Sequence, residues 1–131
     1  MTEGYSFSSD YVDIFLRDGI VWVVYGHNAR ITSDKALIIV GERLKVSQGR
    51  PHPTIADCRK GTSIDKASRA IFAGPDAMKN VIAGALLFNN PIHRMFIHAY
   101  LWFDNPSIPT AVFTSEIKAL EWLQLYKYSV N

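Results

Sequence analysis

The chain has 131 residues, of which 48% are hydrophobic and 20% are charged. This composition favours a single domain with a well-buried core and argues against disorder. The formal net charge of +2 provides no concentrated basic surface, so we do not expect nucleic acid binding. The single cysteine, Cys58, excludes an internal disulfide and a cysteine-based zinc cluster. The sequence opens without a secretory signal and contains no apolar run long enough to span a bilayer, so we expect a cytoplasmic protein.

A hairpin is predicted near the start of the chain. Asp18-Gly19 separates two runs rich in β-branched and aromatic residues, 11–17 and 20–25, and such a pair favours a tight turn with positive φ at both residues. The first run alternates apolar and polar residues, as an edge strand does. The second is apolar almost throughout and should be buried on both faces. Residues 1–9 are expected to be disordered.

An amphipathic helix is predicted to follow, with a cap in residues 32–34 and a stop at Gly49. One face carries apolar or small residues at helical spacing and is predicted to cover the sheet. These residues are Ala36, Leu37, Val40, Gly41 and Leu44. Arg43 falls among the charged residues assigned to the rest of the helix surface.

The second half of the chain alternates strands and helices. Strands are predicted at 54–57, 82–88 and 110–113, and helices at 64–73, 92–103 and 116–126, with a short helical segment after Pro75. Ser63 is the predicted cap of the helix over 64–73. Gly84 predicts a close approach of another segment to its strand. In the last helix the predicted inward stripe is Ile117, Leu120, Leu123 and Tyr126.

The predicted order of elements is therefore β-β-α-β-α-β-α-β-α. Strands that alternate with helices indicate a largely parallel sheet with right-handed crossovers, and the hairpin adds one antiparallel strand at an edge. We predict the α/β class: one domain over residues 1–131, with a mostly parallel five-stranded sheet and about four helices.

The segment DCRKGTSID resembles the STAS domain, the fold of anti-sigma-factor antagonists. In that family an aspartate ends a strand, and a second aspartate eight residues later precedes a phosphorylatable serine at a helix start. Asp57 and Asp65 match this spacing. The resemblance places Ala67, which has no hydroxyl, at the phosphoacceptor position, so phosphorylation would have to occur at Ser68 or Ser63.

The second half is also similar to a group of small bacterial STAS-like proteins, which themselves resemble the lipid-binding CRAL-TRIO domain. The matching segments are DKASRAIFA, AGALLF, NPIHRMFIHAYLWF and PTAVFTSEIKALEWL. The resemblance implies a STAS-like domain and brings lipid binding into consideration, but it implies no particular activity.

The predicted helix over 92–103 is apolar on both sides, and such a helix should be buried on both sides. The rest of the monomer, a second copy in a homodimer, an apolar ligand or a membrane surface could cover its outer side. For a ligand, the candidate binding residues are Phe72, Phe96, Tyr100 and Phe103, with Arg69 and Arg94 available to an anionic headgroup. For a homodimer, the outer face of 92–103 is the predicted interface.

Three functions remain open at this stage. The first is a non-catalytic module that binds an apolar or lipid-like small molecule, in solution or at a membrane surface. The second is a regulatory module that binds another protein, as the sigma-factor antagonists do. The third is a small enzyme that uses Asp57 and Asp65, although a loop-structuring role for both aspartates is the simpler interpretation. We expect that the protein is not an enzyme and binds no cofactor or metal, because no nucleophile, phosphate-loop or metal-ligand motif accompanies these residues.

Overall fold

The structure is a computed structural model that describes residues 4–89 and 108–127. Within these ranges the chain forms eight strands and four helices. The strands are β1 (Phe7–Ser8), β2 (Val12–Arg17), β3 (Ile20–Tyr25), β4 (Arg30–Ile31), β5 (His52–Asp57), β6 (Ser63–Ile64), β7 (Val81–Leu87) and β8 (Thr110–Phe113). The helices are α1 (Ser33–Ser47), α2 (Lys66–Phe72), α3 (Pro75–Met78) and α4 (Glu116–Lys127). None of the helices in these ranges is long and apolar enough to cross a membrane.

Six strands form the main sheet in the order β1-β2-β3-β5-β7-β8. The pairs from β3 to β8 are parallel, whereas β1, β2 and β3 pair antiparallel. The predicted α/β class, with a mostly parallel sheet and an antiparallel edge, is confirmed. The sheet has one more strand than predicted, because Phe7 and Ser8 pair with Ile14 and Asp13. These two residues lie within the segment 1–9, for which disorder stays a prediction.

The hairpin between β2 and β3 is as predicted. Asp18 and Gly19 have φ angles of 55° and 78°, the positive values that a two-residue turn of this type requires. The turn sets the register, in which Arg17 lies opposite Ile20 and Val12 opposite Tyr25.

Residues of the central strands alternate between two separate cores. On one face, Val21 and Val23 of β3 pack with residues of α1 in the first core. On the other face, Ile20 and Trp22 pack with residues of α4 in the second core. This alternation follows from the two-residue repeat of a strand. The sheet is thus covered by α1 and α2 on one face and by α4 on the other, and α3 packs against α2.

The buried face of α1 differs from the predicted stripe. Ala36 and Val40 are buried as predicted, but Leu37 is 61% exposed and Gly41 also faces solvent. The inward face instead contains Ala36, Ile39, Val40, Arg43, Val46 and Ser47. The inward face includes Arg43, which is only 5% exposed. A prediction based on polarity places such a charged residue on the solvent side of the helix.

Two further helix predictions are corrected. Ser63 belongs to β6 and does not cap α2; Asp65 is the cap, and its Oδ1 accepts the N–H of Ser68 at 2.8 Å. In α4 the predicted Leu123 is fully buried, but Ile117 is 70% exposed and Ala119 takes the inward position.

Candidate functional site

A cavity of about 340 Å³ lies between the sheet and the helices α1, α2 and α3. Strands β3, β5, β7 and β8 form its floor. Its walls are largely apolar and include Ile39, Val40, Phe72, Met78, Leu86 and Ile108. Gly84 contributes to the floor, where a Cβ atom would meet Thr110 Cγ2 at 4.0 Å, an ordinary contact distance. Among the described residues, no segment approaches Gly84 more closely than this, so the close approach predicted there is not seen in this part of the chain.

Arg43 brings a buried positive charge to the cavity wall. Its Nη2 donates to the backbone carbonyls of Asp76, Ala77 and Lys79, at 3.4, 3.1 and 2.8 Å, and so joins α1 to the end of α3. Burial lowers the pKa of Arg43 to about 10, so the guanidinium remains protonated at neutral pH. Its Nη1 is buried and has no hydrogen-bond partner in the described part of the chain.

Three more side chains on the cavity wall have a buried polar atom without a hydrogen-bond partner among the described residues. These atoms are Arg69 Nε, Thr54 Oγ1 and Thr62 Oγ1. Buried polar atoms are satisfied in the large majority of cases, so four such atoms around one space distinguish this cavity as the candidate site.

Of the predicted ligand-binding residues, Phe72 and Arg69 lie together on the cavity wall. Arg94, Phe96, Tyr100 and Phe103, like the dimer face predicted over 92–103, fall outside the residues that the structure describes. Homodimer formation therefore stays a prediction.

Sequence reasoning missed Arg43, Thr54 and Thr62. For Arg43 a signal exists: it lies three residues after Val40 and seven after Ala36, at helical spacing on their face. Thr54 and Thr62 carry no comparable signal, because their convergence depends on strand order.

Asp57 and Asp65 have different partners. Asp57 accepts hydrogen bonds from the Arg59 side chain at 2.9 and 2.8 Å and from its backbone N–H at 3.1 Å. Burial alone would raise the pKa of Asp57, but these hydrogen bonds and the charge of Arg59 outweigh it and lower the pKa. Asp65 caps α2, and its hydrogen bonds with Ser68 lower its pKa. Both carboxylates thus have the contacts of a loop-structuring role. No group of three metal-ligating side chains occurs in residues 4–89 and 108–127.

The predicted phosphorylation residues differ in exposure. Ser68 is fully buried, and its Oγ donates to the carbonyl of Ile31 at 3.0 Å. A kinase could reach this hydroxyl only after α2 had moved away from β4. Ser63 is exposed, as is Ala67 at the phosphoacceptor position of the STAS resemblance.

Cys58 lies on the cavity wall and is 4% exposed. Burial, with a smaller contribution from the charge of Asp57, raises the pKa of its thiol. The protonated thiol is a poor nucleophile, so this environment is that of an inert core cysteine.

The order of strands and the helix placement define a SpoIIAA-like fold, the STAS-like architecture expected from the sequence. A solved structure from Shewanella loihica PV-4, an uncharacterized protein of the DUF3478 family with a SpoIIAA-like fold, is similar with a TM-score of 0.63 and 12% identity. The match covers 94% of this chain and 98% of that one. At this identity the likeness concerns the fold alone.

The chain belongs to the family described as Domain of unknown function (DUF7793), whose model matches residues 14–127. A protein of unknown function from Arthrobacter sp. FB24 shares 26% identity, with a TM-score of 0.32 over 86% of this chain and 98% of that one. No curated protein gives a significant match.

Proposed function

We propose that this domain is a non-catalytic binding module that holds one small apolar or amphipathic molecule in the cavity. The cavity itself carries the proposal. Protein interiors are close-packed and contain few voids larger than a water molecule, whereas ligand pockets typically occupy about 300–1,000 Å³. A largely apolar space of about 340 Å³ in a chain of 131 residues falls in the second class.

The residues around the cavity favour binding over catalysis. Among the described lining residues there is no aspartate, glutamate or histidine, the side chains that most often act as general bases. Cys58 is present, but burial keeps its thiol protonated. The lining supplies an apolar surface and hydrogen-bond donors, which are the groups needed to hold a molecule and orient it.

The first experiment is native mass spectrometry of the gently purified protein. We expect an added mass that denaturation releases as a small apolar or amphipathic organic molecule. If the protein carries nothing and also fails to bind either decanol or decanoate in calorimetric titrations, the proposed function is wrong.

A cavity-filling substitution gives a second test. Gly84→Val places a side chain in the cavity at a position with ordinary contact distance for its Cβ, and valine suits a strand. We expect a folded protein whose affinity for the bound molecule is reduced by about tenfold or more, because the side chain and the ligand compete for the same space. Gly41→Ala, on the exposed surface of α1, is the control and should leave affinity unchanged.

A regulatory protein-interaction role like that of the sigma-factor antagonists has less support. It would rest on the fold and on a phosphorylated serine, but Ala67 has no hydroxyl and the Ser68 hydroxyl is buried. Ser63 remains as the exposed candidate in this segment.

A further inference from the structure

We propose that the bound molecule is an anionic single-chain amphiphile, whose charged headgroup is held by Arg43 and Arg69 and whose tail lies along the apolar wall. This inference rests on the proposed function and specifies the chemistry of its ligand. It combines three independent observations: the charge around the cavity, the identity of the unpartnered atoms and the size of the apolar space.

The lining of the cavity carries positive charge without negative charge, although Asp65 lies outside the lining and near enough to Arg69 for that charge to help lower the pKa of Asp65. Two guanidinium groups line it, and no carboxylate is found among the described lining residues. Arg43 is only 5% exposed. It takes part in none of the ion pairs found within the described ranges. A buried charge is costly unless it is paired, so an anion in the cavity would provide the missing counter-charge.

The unpartnered atoms indicate that the ligand headgroup accepts hydrogen bonds. Arginine nitrogens can only donate hydrogen bonds, so a ligand that pairs with Arg43 Nη1 or Arg69 Nε must supply an acceptor. The hydroxyl of Thr54, which is 8% exposed, can donate as well. A carboxylate offers two oxygens with several lone pairs, and its geometry matches the planar guanidinium.

The size of the cavity limits the tail. Its volume of about 340 Å³ lies at the lower end of the range of ligand pockets, roughly 300–1,000 Å³. A carboxylate with a medium-length alkyl chain fits this space, with Phe72, Leu86 and Ile108 against the chain. Decanoate is therefore a suitable probe.

The test compares decanoate with decanol, which has the same chain length and no charge, by isothermal titration calorimetry on the full chain at neutral pH. We expect decanoate to bind roughly 10- to 100-fold more tightly, as charged hydrogen bonds to two guanidinium groups imply. Arg69→Met, which keeps an apolar stem, should remove most of this preference. Arg50→Met is the matched control, because Arg50 is exposed and lies outside the cavity lining, and it should keep the preference.

Arg43 also joins α1 to α3, so a variant at this position can lose stability for reasons unrelated to a ligand. Thr54→Val provides a second variant with nearly the same shape, and it should weaken decanoate binding more than decanol binding. Equal affinities for decanoate and decanol, unaffected by Arg69→Met, would overturn the anionic headgroup and leave the proposed function intact. Failure of both molecules to bind would overturn the anionic amphiphile; if native mass spectrometry also finds nothing bound, the proposed function is wrong as well.

Discussion

Arg59 links the end of β5 to the start of α4 through two carboxylates. Its Nη2 lies 2.8 Å from Asp57 Oδ2 and 2.8 Å from Glu116 Oε1. The Asp57 side chain is 9% exposed, whereas those of Arg59 and Glu116 are 35% and 40% exposed. The pair with Asp57 should therefore contribute more to the free energy of unfolding than the pair with Glu116, because solvent screens the exposed pair more strongly.

Asp57→Asn tests the buried pair. At pH 7 we expect the free energy of unfolding to fall by about 1–3 kcal/mol, because Arg59 loses a charged acceptor. The native pKa of Asp57 is lowered, so its contribution is present above the unfolded pKa and is lost as the pH falls through the native pKa. The difference between Asp57→Asn and the parent protein should therefore shrink below about pH 4 in urea unfolding measurements.

Glu116→Gln is the matched control for this prediction. It removes the exposed partner of Arg59 and should cost only about 0–1 kcal/mol. A loss of stability in Asp57→Asn that stays constant from neutral to acidic pH would show that the charge of Asp57 is not the cause.

Among the small elements, the pair β4–β6 holds two loops together beside the main sheet. Arg30 and Ile31 pair with Ser63 and Ile64, and the N–H of Asn28 donates to the carbonyl of Lys60 at 2.8 Å. The loop after β3 is thereby fixed against the loop that leads into α2. Gly61 lies in the crowded part of this contact, with φ of +89° and Asn28 Oδ1 at 2.6 Å from the position of an added Cβ.

Gly61→Ala should lower the free energy of unfolding by about 1–3 kcal/mol, because alanine would be strained at positive φ and would press on Asn28. Gly49→Ala isolates the effect of positive φ: Gly49 has φ of +73°, but no atom of the described residues lies within 4 Å of an added Cβ. It should cost about 1–2 kcal/mol, the penalty for a left-handed alanine. If thermal and urea unfolding show the same loss of unfolding free energy for Gly61→Ala and Gly49→Ala, the contact with Asn28 adds nothing to the cost of Gly61→Ala.

Local signals were sufficient for the elements that depend on local chemistry. The Asp18-Gly19 turn followed from the two positive φ angles that this residue pair accepts, and the continuous apolar run of β3 indicated burial on both faces. The start of α2 could not be obtained in this way. Ser63 and Asp65 are both good caps, and Ser63 is excluded because it pairs with Arg30, a residue distant in sequence.

The candidate site was predictable only in part, for the same physical reason. Phe72 and Arg69 were among the residues proposed for an apolar ligand with an anionic headgroup. Arg43 was assigned to solvent because its burial depends on the carbonyl groups at the end of α3, which lie more than thirty residues away. Contacts of this kind are set by the packing of helices on the sheet, and no local pattern contains them.

At the scale of the whole molecule, the sheet separates the core under α4 from the face that includes the cavity. Leu123 and Ala119 of α4 are fully buried against β5 and β7. The opposite face contains the cavity under α1, α2 and α3. We therefore expect the α4 face to supply stability, while the other face supplies binding as well.

Leu123→Ala should lower the free energy of unfolding by about 2–5 kcal/mol through the cavity it leaves in the second core. Ile117→Ala, six residues earlier on the same helix and 70% exposed, should change it by no more than about 0.5 kcal/mol. Urea unfolding followed by tryptophan fluorescence and circular dichroism would measure both. Similar losses in the two variants would contradict the orientation of α4.

The alternation of residues along β7 also bears on how relatives of this protein can diverge. Gly84 and Leu86 face the cavity, while Ala83 and Leu87 belong to the core under α4. A new side chain at a cavity-facing position therefore contacts different residues from a new side chain at the next position along the strand. Under the proposed function, the lining can acquire new side chains over evolutionary time, and with them new ligand preferences, while selection for folding acts on the alternate positions. We expect homologous chains to vary most where this strand borders the cavity.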